Sequence, residues 1–280
     1  MAEHPPATEA LDASIIRAAL GAEAARYQLT LLDHCDSTNT YLVNQPQSTD
    51  ELIEVVVCER QTAGRGRRGR EWLSAPGDSL TFSLRWRFAA GAPPIAGLSL
   101  AVGVAVAEAL ERMGAAGVRL KWPNDIVTSV GKRGSKFGGK LGGILVETQS
   151  QGGVTVAVIG IGLNVRLPAR IANAVNDAGG IEAAALVAIT PVAPSRNLLL
   201  ASLLLELVSV LTHFAQHGVG GFVADWQARN VYADRTVRIL ADGAATIEGR
   251  CVGVDTDGAL LLETSTGLHR IVNGEVSLRL

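Results

Sequence analysis

Glu54-Val55-Val56-Val57-Cys58-Glu59-Arg60-Gln61-Thr62-Ala63-Gly64-Arg65-Gly66-Arg67-Arg68-Gly69-Arg70-Glu71-Trp72-Leu73-Ser74-Ala75-Pro76-Gly77 is the stretch on which the choice of fold turns. Its β-branched opening, Glu54–Cys58, predicts a strand. Gly64, Gly66 and Gly69 then spell GxGxxG, the fingerprint of a dinucleotide-binding turn. That turn needs a helix directly behind it, so that the helix N-terminus meets a pyrophosphate. Glu71 to Gly77 is loop chemistry instead, and the intervening positions are arginines. The doubly wound nucleotide fold is therefore rejected.

Outward from this stretch the chain mixes strand and helix patterns. Leu80, Phe82, Leu84, Trp86 and Phe88 alternate with polar residues and predict a half-buried strand over Leu80–Phe88. Gly97–Arg112 carries apolar residues at helical spacing, with Gly114 suited to the left-handed cap. Val118–Trp122, Leu141–Thr148 and Val154–Ile161 predict further strands. Glycines inside the last two mark places where another group approaches the backbone. Ser195 caps a long amphipathic helix ending near Gly218. Past Asp234, short strands follow one another closely, and Asp257–Gly258 predicts a two-residue hairpin. These patterns predict an α+β protein. The patterns predict a tail and short helix over residues 1–30, alternating strands and helices over residues 31–233, and a small β-barrel over residues 234–280.

Composition narrows the function classes. Hydrophobic content of 48% against 19% charged residues describes a folding chain, and a net charge of −2 offers no global attraction to nucleic acid or membrane. The apolar run Leu198–Leu211 is interrupted by Ser202, Glu206 and Ser209, too short for a span. No secretory signal precedes the first helix. Cys35, Cys58 and Cys251 are odd in number and far apart, as reduced thiols of a cytoplasmic protein would be. The five histidines form no metal motif, and no GxSxG is present. Gly134, Gly139 and Lys140 match GxxxxGK, but Leu141 stands where a P-loop needs a magnesium-binding hydroxyl. What remains is Arg65, Arg67, Arg68 and Arg70 among three glycines. Converging backbone N–H groups and guanidinium forks make an anion cradle better fitted to a small phosphate than to a nucleic acid.

Six blocks in order now resemble one family. Asp36-Ser37-Thr38-Asn39 and Gln61-Thr62-Ala63-Gly64-Arg65-Gly66-Arg67-Arg68-Gly69-Arg70-Glu71-Trp72 are similar to the biotin-site segments of biotin–protein ligases. Lys121-Trp122-Pro123-Asn124-Asp125 resembles that family's KWPND motif. Lys140-Leu141-Gly142-Gly143-Ile144-Leu145-Val146-Glu147, Gly160-Ile161-Gly162-Leu163-Asn164 and Gly274-Glu275-Val276-Ser277 resemble its remaining blocks. The resemblance implies that residues 31–233 are a biotin/lipoate ligase-like catalytic domain, a mixed β-sheet flanked by helices, and that residues 234–280 are an SH3-like C-terminal barrel. With its first block already at Asp36, the chain resembles the single-function members, which lack an N-terminal DNA-binding domain. The resemblance also implies ATP, Mg2+ and biotin as reactants, and the biotin carboxyl carrier domain of acetyl-CoA carboxylase or a related enzyme as partner. Specific DNA and membrane partners are not expected, and either a monomer or a homodimer is compatible.

Residue roles follow from the resemblance and from the chemistry. A carboxylate attacking an α-phosphate gathers negative charge, so positioned cations carry most of the catalysis. Lys140 and Arg67 are the expected cations, and Asp125 is expected to orient or deprotonate the acceptor lysine. Biotin is expected to contact Ser37, Thr38, Asn39, Gln61, Gly64, Arg65, Gly66, Arg67, Lys140, Gly143, Gly160 and Gly162. ATP and the adenylate are expected at Arg67, Arg68, Arg70, Trp72, Asn124, Lys140 and Asn164. Asn124 and Asn164 either read the nucleotide or help hold magnesium. No residue is expected to form a dedicated metal cage, because magnesium enters with ATP. Lipoate–protein ligase is the enzyme alternative, though its hallmark of an Arg-Arg pair before a Gly-Gly-Gly run and His-Asp is missing. A biotin-responsive regulatory protein is the alternative from another class.

Overall fold

In the computed structural model, residues 9–46, 52–130, 138–177, 182–240, 246–272 and 275–278 are described. The larger unit holds seven strands: β1 (Tyr27–Cys35), β2 (Ile53–Gln61), β3 (Ser79–Phe88), β4 (Val118–Lys121), β5 (Asp125–Thr128), β6 (Lys140–Gln151) and β7 (Val154–Asn164). They form one sheet in the order β1-β2-β3-β7-β6-β5-β4. The β1–β2 pair is parallel and every other pair antiparallel, so the sheet is mixed as expected. Among the described residues six α-helices accompany it: α1 (Ala13–Leu20), α2 (Thr38–Asn44), α3 (Leu98–Arg112), α4 (Ala169–Asp177), α5 (Arg196–His217) and α6 (Val223–Arg229).

β3 shows how the sheet divides the molecule. Leu80, Phe82, Leu84 and Phe88 point to one face, where they join α1, α3 and α5 in the main core. Thr81, Ser83 and Arg85 point to the other, where α2 lies, and all three are buried. α5 is 22 residues long, more than its apolar run alone suggests. The segment Arg196–Arg229 has the length and hydropathy of a membrane span. Leu199, Leu200, Leu203, Leu204, Leu207, Leu211 and Phe214 are nevertheless fully buried against the sheet and α3. Each leucine contributes about 1.5–3 kcal/mol by leaving water. Ser195 accepts from Leu198 N–H as the expected cap, and Gly114 takes the left-handed conformation behind α3.

The N-terminal segment is built into this unit. β1 begins at Tyr27, α1 packs on α5, and Leu11 N–H donates to Glu59 Oε1. Glu59 also receives both terminal nitrogens of buried Arg196, at 2.7 and 2.8 Å. This bidentate pair ties β2 to the start of α5. Cys58 and Cys251 are buried, and Cys35 is half-buried.

The smaller unit contains β8 (Thr236–Leu240), β9 (Ile247–Val254), β10 (Leu260–Thr264), β11 (Gly267–Ile271) and β12 (Glu275–Leu278). The expected barrel is seen as a five-stranded antiparallel sheet in the order β11-β10-β9-β8-β12. Among the described residues no pairing of β11 with β12 closes it. The expected two-residue hairpin at Asp257–Gly258 is a longer turn, because β9 stops at Val254 and β10 starts at Leu260. Asp255 N–H donates to the Ala259 carbonyl, which closes the turn around Gly258. The two units touch there. Trp122 Nε1 donates to the Gly258 carbonyl at 3.0 Å, and a Cβ on Gly258 would meet Gly97 Cα at 2.7 Å.

Candidate active site

Strand register places the candidate residues. Cys58, Thr81, Gly162, Gly143 and Asp125 are direct partners in one row across β2, β3, β7, β6 and β5. Direct partners share a face, so this row and its neighbour Val56, Ser83, Gly160 and Leu145 floor the side opposite the main core. Three glycines in these rows keep the middle of the floor low, between a cationic wall at β5 and β6 and a polar wall at α2.

The cationic wall is a triad. Lys140 Nζ donates to Asp125 Oδ1 at 2.5 Å, and Lys121 Nζ to Oδ2 at 3.2 Å. Burial alone would push the Asp125 carboxyl up, but the Lys140 and Lys121 charges outweigh it and hold it below the ordinary aspartate value. Asp125 is thus an ionised acceptor with both oxygens engaged. It opens β5. Tyr232 is pushed up to about 12, by burial first and then by the Asp125 charge, and stays protonated. Gly143 leaves room for Lys140 to fold back over the sheet, where a Cβ would make a tight 3.3 Å contact with Nζ.

The polar wall is α2 and the end of β2. Ser37 precedes α2 without a side-chain cap bond. Gln61 Oε1 accepts from Thr38 N–H at 2.8 Å, and the Thr38 hydroxyl lies 3.2 Å from the same oxygen. Asn39 is turned inward, donating to Glu147 Oε2 at 2.8 Å and to the Leu145 carbonyl. Its side chain occupies the space over Gly160.

The Gly/Arg segment crosses between the walls. Trp72 N–H donates to the Gly64 carbonyl and Gly66 N–H to the Arg70 carbonyl, which makes a narrow hairpin tipped by the 3-10 turn Arg67–Gly69. No helix follows, which removes the dinucleotide reading on geometry as well. Gly64 has to be glycine, because a Cβ there would overlap the Trp72 carbonyl. Arg68 sits in the left-handed region at φ 57°, a conformation that non-glycine residues adopt at some cost. Arg65 reaches Glu147 at 2.5 Å, and Arg67 Nη1 approaches Asn124 Oδ1 at 3.5 Å. The Trp72 ring lies over Gly162, 2.5 Å from where a Cβ would stand. Its buried Nε1 has no hydrogen-bond partner among the described residues.

The site therefore brings together Thr38, Gln61, Gly64, Arg65, Gly66, Arg67, Trp72, Asn124, Asp125, Lys140, Gly143 and Gly162. Asn164 donates to the carbonyls of Lys140 and Ala184, tying the 182–184 segment across the start of β6. Gly160 packs on Asn39. Gly134 and Gly274 lie outside the described residues. Lys121, Ser83 and Glu147 stand in the site with no role assigned from sequence. The signal for Ser83 is a polar residue on the polar side of β3 whose partner strand offers only glycine.

Residues 31–164 match the family described as biotin/lipoate A/B protein ligase, and residues 233–279 the biotin protein ligase C-terminal domain. The chain is 36% identical over 278 residues to the bifunctional ligase/repressor BirA of Salmonella typhimurium, spanning 98% of this chain and 80% of that protein. It is 30% identical over 263 residues to the biotin–[acetyl-CoA-carboxylase] ligase of Mycobacterium tuberculosis, spanning 92% and 91%. In fold it is similar to the biotin protein ligase of Aquifex aeolicus solved in complex with biotin and ATP. The TM-score is 0.72 at 30% identity, covering 90% of this chain and 98% of that one.

Proposed function

This chain belongs to the biotin protein ligase family, and from that premise we propose that it converts biotin and ATP to biotinyl-5'-AMP and pyrophosphate, then transfers the biotin to a specific lysine of a biotin carboxyl carrier protein. The observation that carries this reading is the Lys140 ammonium, fixed on Asp125 above Gly143 and faced by the Gly/Arg hairpin. A carboxylate and an α-phosphate both gather at cations, and preorganised cations stabilise the charge that builds between them.

Lys140 bridges the biotin carboxylate and the α-phosphate. Among the described residues the Arg65 side chain is held by a partly exposed ion pair, a contact worth about 0–1 kcal/mol, so it turns to the ligand at little cost. Arg67, Arg68 and Arg70, with the Gly64 and Gly66 backbone, complete the anion cradle. Ser37, Thr38 and Gln61 receive the ureido ring. Trp72, with its unpartnered Nε1–H, covers the adenylate from above Gly162. Asn124 and Asn164 serve the nucleotide side.

Asp125, ionised and bound by two lysines, is a weak base. In the second step its role is to orient the incoming amine alongside Lys140. Among the described residues no group of three or more His, Cys, Asp or Glu side chains is placed to hold a metal. Magnesium is assigned to the triphosphate it neutralises. The reduced cysteines support a cytoplasmic location.

Pyrophosphate release from purified protein with ATP and magnesium, in the presence of biotin or lipoate, tests the reading. Biotin is expected to drive turnover and labelling of a carboxyl-carrier domain. Equal turnover with lipoate would sink the substrate assignment.

A further inference from the structure

One unbroken chain of polar contacts runs beneath the site, from Gln61 through Thr38, Ser83, Asn39 and Glu147 to Arg65. Ser83 is 0%, Asn39 2% and Thr38 4% exposed, so water cannot rearrange the inner links. Counting protons then fixes their direction. Asn39 Nδ2 faces the Glu147 carboxylate at 2.8 Å and the Leu145 carbonyl at 3.2 Å, both acceptors only. The amide orientation follows, and Asn39 Oδ1 must face Ser83.

Ser83 has a single hydroxyl proton, and its 2.6 Å contact with Asn39 Oδ1 takes it. The 2.7 Å contact between the Ser83 and Thr38 hydroxyls is therefore made by the Thr38 proton. Nothing is left to donate across the 3.2 Å from Thr38 Oγ1 to Gln61 Oε1, which already accepts from Thr38 N–H. Thr38 Oγ1 thus meets a ligand with lone pairs alone. It can accept an N–H and cannot donate to a carbonyl.

Taking biotin as the substrate proposed above, we infer that Glu147 and Ser83 are positioning residues for substrate choice. Acting through Asn39, they set the Thr38 hydroxyl as an acceptor for a ureido N–H of biotin. The ureido carbonyl is then left to other donors, such as Gln61 Nε2. Asn39 works inside the wall rather than at the ligand. Until Arg65 turns to the ligand, Glu147 also holds it, and the same carboxylate links the ureido wall to the Gly/Arg hairpin.

A charge swap separates this role from simple packing. Asn39→Asp sets two carboxylates against each other and leaves a buried acceptor facing an acceptor, so biotin affinity is expected to fall by about a hundredfold. Glu147→Gln keeps an acceptor for Asn39, and a loss of only a few-fold, about threefold, is expected. In the double variant the new amide at position 147 donates to the new carboxylate at position 39. That carboxylate still accepts from Ser83, and the Thr38 proton keeps its direction. Titration calorimetry with biotin on the full chain should show the double variant recovering about tenfold or more over Asn39→Asp. No recovery overturns the relay. If Asn39→Asp alone does not fold, the double variant is compared with Glu147→Gln. Because the double variant, unlike Glu147→Gln, leaves the Leu145 carbonyl without its donor, affinity within about a hundredfold supports the relay, and a larger loss overturns it. Wild-type protein that does not bind biotin would instead refute the substrate reading and leave the hydrogen-bond direction standing.

Discussion

Lys140 and Asp125 are fifteen residues apart and meet at 2.5 Å, with Lys121 on the second carboxylate oxygen. One buried anion thus holds two ammonium groups at the edge of the glycine floor. Two ammonium groups against one carboxylate leave a net positive charge there, beside Gly143.

Lys140→Ala is expected to lower adenylate formation by two to three decades, since losing one preorganised donor costs about 3 kcal/mol of transition-state stabilisation. Pyrophosphate release in single turnover checks it. If carrier transfer falls while adenylate synthesis stays intact, Lys140 does not act where it is placed.

The Asp125 carboxyl is held below its ordinary value of 3.8, so its contribution to stability is present above that value and lost as pH falls through the lower folded value. Asp125→Asn leaves buried Lys121 and partly buried Lys140 facing a neutral amide, a loss of about 3 kcal/mol. Thermal melts from neutral to strongly acid pH should show a full deficit at neutrality that narrows below pH 3.8. A deficit that does not change with pH would mean that the carboxylate charge is not what stabilises.

Arg67, at the tip of the hairpin beside Asn124, is expected to retain the adenylate as well as to help form it. A charge-assisted contact of about 1.5–3 kcal/mol corresponds to a ten- to hundredfold change in escape rate, at about 1.4 kcal/mol per decade. Arg67→Gly should therefore release biotinyl-AMP and label a bystander such as serum albumin. A folded variant that makes adenylate, keeps it and labels nothing would remove this role.

Gly258→Ala tests the contact between the two units. Its φ of 84° is unfavourable for alanine, and the new Cβ would meet Gly97 Cα at 2.7 Å. A loss of about 1–3 kcal/mol is expected. Gly152→Ala, at φ 59° with nothing within 4 Å, should lose only the backbone share, about 1 kcal/mol. Equal shifts in melting temperature for the two would show that the Gly97 contact carries no weight.

The sequence by itself determined the element types and the chemistry. The β-branched run at Glu54–Cys58, the alternation along Leu80–Phe88, the α3 spacing and the Ser195 cap are local, and their periods read directly as strand or helix. The Gly/Arg segment, Lys140 and the glycine-bearing strands also announced themselves, because residues of that kind rarely share a short stretch without an anion to bind. Tertiary structure alone decided which groups face each other. From sequence, Asp125 is expected to orient or deprotonate the acceptor lysine. It becomes an anchor for two lysines only because β5 pairs with β6 at Gly143. Asn39 reads as a ligand contact, yet Glu147, a hundred and eight residues away, turns its amide inward. Such partners are set by strand register and by the matching of donors to acceptors in a buried wall, where an unpaired polar group costs about 1–3 kcal/mol. Nothing in the local order of residues encodes that match.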